Sequence, residues 1–133
     1  MRKGFLLPAL LLLLLCCGCN KDEENTPPDM ASVITFTTPT AGTIFLNGTQ
    51  LQVTGTVTDD QALSAVKVEI RNASNGTILF QQNNPTGNVI FYGFTWNWNI
   101  TGITAQTNAI VKVIATDRYN YQVSKEVAVV LID

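Results

Sequence analysis

Hydrophobic and polar residues alternate along most of this chain, with a period of two. Residues 49–58 put Leu51, Val53, Gly55 and Val57 on one side, and residues 65–71 put Val66, Val68 and Ile70 inward with Lys67, Glu69 and Arg71 toward water. In residues 89–100, Ile90, Tyr92, Phe94, Trp96, Trp98 and Ile100 share a face, and Thr95, Asn97 and Asn99 take the other. Val111 and Val113 in residues 109–115, and Val123, Val127, Val129 and Leu131 in residues 121–132, repeat the pattern. Side chains alternate across a strand, so this period predicts strands and not helices. Shorter runs at 32–37, 43–46 and 77–82 read as further strands, while residues 81–88 (QQNNPTGN) read as a loop by composition. Asn47-Gly48, Asp59-Asp60, Asn75-Gly76 and Asp117 punctuate the runs as turn signals.

Seven or eight strands in about 100 residues, with turns at this spacing, predict two packed antiparallel sheets. The pattern resembles bacterial immunoglobulin-like and cadherin-like modules. A Val57-Thr58-Asp59-Asp60 segment precedes one strand there, and a Val-x-Ala-x-Asp-like segment, here residues 113–117, ends a late one. The resemblance covers most of residues 30–133 and implies an all-β, immunoglobulin-like antiparallel sandwich over residues 31–133. The Cys…Trp…Cys hallmark of antibody domains is missing, and a fibronectin type III or small jelly-roll arrangement fits the same pattern.

The first 30 residues have a different texture. Arg2 and Lys3 precede residues 5–17, thirteen positions that are almost wholly apolar. That run is too short for a bilayer core, which takes roughly 20 residues of helix. A basic start, a short apolar stretch and a small residue at its end read as a signal peptide, residues 1–18. Cys16-Cys17-Gly18-Cys19 resembles the lipobox of bacterial lipoproteins, although Cys16 stands where an aliphatic residue is usual; the resemblance implies lipidation of Cys19 and cleavage before it. Asn20-Lys21-Asp22-Glu23-Glu24 is similar to the charged stretch after the lipidated cysteine in surface-exported lipoproteins of Bacteroidetes. Residues 19–30 carry Pro27-Pro28 and no apolar cluster, and read as a flexible acidic tether. Outer-membrane anchoring with cell-surface display is what these resemblances imply.

Charge and composition then narrow the chemistry. Net charge is −2, and cleavage before Cys19 leaves six Lys/Arg against ten Asp/Glu, which argues against a nucleic-acid partner. The sequence has no histidine, so neither a Ser-His-Asp nor a Cys-His arrangement can be built from it. All three cysteines lie between positions 16 and 19, leaving the sandwich without a disulfide or thiolate zinc site of its own. In an immunoglobulin-like topology, Asp59, Asp60 and Asp117 converge at one end of the sandwich, with Asn120 nearby. Such an oxygen-rich group suits a structural Ca²⁺, and the same residues also serve as ordinary turn formers. Tyr92, Phe94, Trp96 and Trp98 form either a sugar-binding platform or the core face of a strand, and Trp98 is the member that reaches the surface. Arg118, Tyr119, Asn120 and Tyr121 form a hairpin tip whose aromatic and cationic side chains suit ligand contact.

The expectation is a non-catalytic envelope lipoprotein, held to the membrane by its lipid and binding a protein or glycan. A spacer or assembly subunit without its own ligand is the alternative. A carbohydrate-binding module, or a small hydrolase using Asp59, Asp60 or Asp117, stands behind both.

Overall fold

The computed structural model describes residues 29–133. The expected signal peptide, Cys19 and most of the tether lie outside the described residues. Six strands follow one another: β1 (Val33–Thr38), β2 (Ile44–Leu46), β3 (Gln50–Asn72), β4 (Ile78–Asn99), β5 (Thr107–Asp117) and β6 (Gln122–Ile132). Two of them are long because each passes from one layer of a sandwich to the other. The first part of β3, residues 50–58, pairs with β1 and with residues 91–99 of β4. The second part, from Leu63 to Asn72, pairs with β5 and with residues 78–85 of β4. β5 then pairs with β6 antiparallel, and β2 adds to β6 in parallel.

The architecture is therefore an all-β immunoglobulin-like sandwich. One layer is β1, the first part of β3 and the second part of β4. The other is the first part of β4, the second part of β3, then β5, β6 and β2. With β3 and β4 each contributing two paired segments, the layers contain the seven or eight strand stretches that the alternation predicts.

The inward residues of both layers form one core. Leu51, Val53 and Val57 meet Leu63, Val66, Val68 and Ile70 from the same strand, with Val111, Val113 and Leu131 from the facing layer. Full burial of each such side chain stabilises by about 1.5–3 kcal/mol. Gly55 is required at one point of this core. A Cβ there would lie 2.0 Å from the Thr35 carbonyl oxygen and 2.6 Å from the Phe94 ring. The space that glycine leaves is taken by Phe94, against which Phe36 packs edge-on at 6.1 Å.

Two expectations are corrected. Residues 81–88 are not a loop: Gln81, Gln82, Asn83, Asn84 and Pro85 pair in register with Glu69, Val68, Lys67, Val66 and Ala65. Their composition is polar because β4 is an edge strand with solvent on its open side, and Pro85 is tolerated where no further ladder bond is needed. The crossing between layers comes just afterwards, where Gly87 and Asn88 both take positive φ, 71° and 62°. The second correction concerns Ile90, which does not share the buried face. It is 62 % exposed because it lies at this crossing, beyond the reach of the core.

Candidate functional site

The end of the sandwich where the chain enters is acidic. Residues 59–62 carry β3 from one layer to the other, and the ladder is interrupted between Thr58 and Leu63. Asp59 shapes this crossing. Its Oδ1 accepts from the backbone N–H of Gln61 at 2.8 Å and of Ala62 at 2.9 Å, and its Oδ2 accepts from the Ser32 hydroxyl at 2.6 Å. Asp60 points outward, and both of its oxygens lie 3.2 Å from the Met30 N–H. Asp117 closes the β5–β6 turn, its Oδ1 accepting from the N–H groups of Tyr119 at 2.7 Å and Tyr121 at 2.9 Å. The Arg118 N–H donates to the Ala62 carbonyl at 2.9 Å, so the crossing and the turn are tied together.

Asp29, at the start of the described residues, completes the group. Carboxylate oxygens of Asp29, Asp59 and Asp60 lie within 4.8 Å of one another. Partial desolvation, then the negative charges of Asp117 and Asp60 and a hydrogen bond with Asp117, push the Asp29 carboxyl above the usual carboxylate range. A cleft of about 370 Å³ opens beside it, lined by Ser32, Asp117, Tyr121 and Val123 among others.

The sequence placed Asp59, Asp60 and Asp117 at one end, and the structure brings all three to that end with Asp29 among them. Asp29 escaped the sequence reading because it sits in the polar stretch assigned to the tether. Asn120 serves the turn: it takes a φ of 68°, and its N–H donates to the Asp117 carbonyl at 3.2 Å. A hard cation needs several oxygen ligands. Asp59 already receives three protein donors, Asp117 receives two on its Oδ1, and both oxygens of Asp60 face the Met30 N–H. Those hydrogen bonds account for Asp59 and Asp117 as builders of the crossing and the turn.

The hairpin tip is exposed as expected. Tyr119 is 52 % and Tyr121 68 % exposed. Arg118 lies 4.7 Å from the centre of the Tyr119 ring, and its guanidinium donates to Gln61 Oε1 at 2.9 Å and to the Tyr119 hydroxyl at 2.6 Å. This holds the tip in one shape.

The aromatic row is core. Phe94 and Trp96 are buried and stack at 4.8 Å, and the Trp96 Nε1–H donates to Asn84 Oδ1 at 3.3 Å. Trp98 is half-buried against Phe80, ring centres 6.1 Å apart. No member of the row lies open as a platform. The exposed aromatic ring of this strand is Phe91, which the sequence reading passed over because it falls outside the alternating set.

A family model described as a bacterial Ig domain matches residues 33–113. No curated protein matches the chain. Among solved structures, fibronectin(III)-like modules of Clostridium thermocellum CbhA align with a TM-score of 0.51 at 20 % identity, covering 74 % of this chain and 94 % of that one. Murine CRIg aligns at 0.43 and 11 % identity, covering 77 % of this chain and 98 % of that one. The likeness to the fibronectin(III)-like modules is one of fold.

Proposed function

The chain belongs to the bacterial Ig domain family, and from that premise we propose that it is a non-catalytic envelope lipoprotein whose Ig-like domain makes accessory or adhesive contacts outside the cytoplasm. The observation that carries this reading is the joining of a lipobox-like Cys16-Cys17-Gly18-Cys19 to an Ig-like sandwich by a short acidic stretch. Several acyl chains on one cysteine make a long-lived anchor, since each buried CH₂ contributes about 0.8 kcal/mol.

This reading carries a point of attachment with it. Asp29 lies ten positions after Cys19, a reach of at most about 35 Å. On this reading the acidic end, with the Arg118 tip, is the end at which the tether joins the domain. The hydrolase alternative loses ground, because Asp59 accepts from two backbone amides and the Ser32 hydroxyl and Asp117 Oδ1 from two backbone amides, which gives both a role within the fold.

The test is binding of the full chain, purified in detergent micelles, to arrays of glycans and of envelope and matrix proteins. Saturable binding to one class is expected. Binding to neither would leave the domain a spacer without its own ligand.

A further inference from the structure

The outer face of the layer built from β1, β3 and β4 carries no charged side chain in its rows from Gln50 to Thr58, and no cation; the carboxylate of Asp60 borders it beside Val33 and Thr58. Register places its residues in cross-strand rows. Val33, Thr58 and Phe91 form one row, Thr35, Thr56 and Gly93 the next, and Thr38, Thr54 and Thr95 the third. Gln52 stands opposite Asn97, and Gln50 opposite Asn99. Apart from Val33, Phe91 and Gly93, every one of these is a Thr, Gln or Asn.

Their hydrogen bonds order the face without exhausting it. Gln52 donates to Asn97 Oδ1 at 3.1 Å, Gln50 donates to Asn99 Oδ1 at 3.3 Å, and the Thr38 and Thr54 hydroxyls meet at 2.9 Å. Each amide pair uses one N–H and one lone pair of its groups, which leaves further donors and acceptors side by side toward solvent. A sugar hydroxyl is donor and acceptor at once, so such adjacent pairs suit it. A phosphate, sulfate or uronate asks for a cation, and this face has none.

Each end of the face has a feature that a sugar chain can use. The Phe91 ring at one end is 57 % exposed, and a Cβ at neighbouring Gly93 would meet nothing nearer than that ring at 4.0 Å. The missing side chain keeps the sheet beside the ring low, so an apolar ring face can lie on it. At the other end a cleft of about 360 Å³ is lined by Thr38, Pro39, Thr43, Phe45, Gln50 and Gln52, again without a charge.

We propose that this face binds a neutral polysaccharide, laid along the Thr/Gln/Asn rows between the Phe91 ring and the Pro39–Phe45 cleft. The proposal rests on the accessory-binding reading above and gives it a ligand class and a location. The occupant is a glycan of uncharged sugars because rows of hydroxyls and amides offer orientation without an ionic partner, and because an ion laid on this face would lose hydration with nothing to replace it.

The experiment is affinity electrophoresis of the full chain in detergent micelles through gels containing β-glucan, xylan or galactomannan, beside gels containing polygalacturonate or heparin. At least one neutral polysaccharide should retard the chain, and added salt should not abolish the retardation. Phe91→Ala and Gln52→Lys, each first shown to melt as the parent does, should weaken it by about tenfold or more, the loss of one good contact; Lys112→Ala on the opposite layer should not. Retardation by charged polysaccharides alone, or retardation indifferent to both face variants, overturns the proposal. So does a dimer in sedimentation that Gln52→Lys dissolves, which would make a second copy the occupant. Binding only to proteins on the arrays also overturns it but leaves the accessory-binding reading standing, whereas binding to nothing removes both.

Discussion

β3 and β4 each supply strands to both layers, yet the two outer faces they help to build differ in kind. On the first layer the outward positions of β3 are Gln50, Gln52, Thr54, Thr56 and Thr58; on the second they are Lys67, Glu69 and Arg71, with Glu69, expected toward water, itself buried between the two cations. Lys67 and Arg71 flank Glu69 and both pair with it, the lysine at 2.6 Å, while Lys112 faces Glu126 at 3.6 Å on the neighbouring strands. Both faces meet the same need, which is to keep the outside of a sheet wet. The charged face does so with groups that pair among themselves and repel what does not match. The neutral face does so with groups that exclude no uncharged partner. Solubility alone does not distinguish the two solutions, so the choice of hydroxyls and amides on one layer is the more informative observation about function.

The largest expected effect breaks both faces at once through the core they share. Gly55→Val forces a side chain into the Thr35 carbonyl and the Phe94 ring. The loss in unfolding free energy should be about 3 kcal/mol or more by chemical denaturation. Gly93→Ala, on the neutral outer face of the paired strand, brings its methyl no nearer than 4.0 Å, to the Phe91 ring, and should leave the midpoint near that of the parent.

A smaller effect separates the charged face by pH. The Lys67 ammonium, more than the Arg71 guanidinium, holds the Glu69 carboxyl below its usual range although burial opposes it. A carboxyl depressed on folding contributes stability above its unfolded pKa and loses it as pH falls through the folded value. The parent should therefore exceed Glu69→Gln by about 1–2 kcal/mol near neutrality, and the gap should close in acid; a gap independent of pH would remove the ion pairs from the account. The acidic end should behave with the opposite sign. A carboxyl raised on folding, as Asp29 is, opposes folding once pH rises past its folded value. Asp29→Asn should raise the melting midpoint slightly near neutrality and not in acid.

The smallest stability effect belongs to the neutral face. Gln52→Ala and Asn97→Ala remove exposed amides and should change stability by no more than about 0.5 kcal/mol each. A larger loss would mean that the amide rows hold the sheet together, and would weaken the case that they are there for a ligand.

Sequence and structure agree most where alternation is strict. The inward sets of residues 49–58, 65–71 and 109–115 are core, because period two and burial on one face are the same fact seen twice. Agreement fails where one strand leaves a layer. Residues 81–88 look like a loop because an edge strand can be polar on its open side and still pair. Ile90 looks like strand interior, yet it stands outside the core because Gly87 and Asn88 turn the chain just before it. The acidic end was half legible. Asp59, Asp60 and Asp117 declare themselves beside turns, whereas Asp29 lies in a polar run with no periodic signal. The neutral face was visible only as the complement of the buried residues, and register was needed to show which of its members stand in one row.

The most direct test of the proposed role is made on intact cells: incorporation of a palmitate analogue, followed by protease shaving, with the parent beside Cys19→Ala. Label in the parent, lost in the variant, with the domain cut away by protease, is the result expected of a surface-displayed lipoprotein. A parent that takes up no lipid, or whose domain survives shaving in cells with an intact outer membrane, would contradict it.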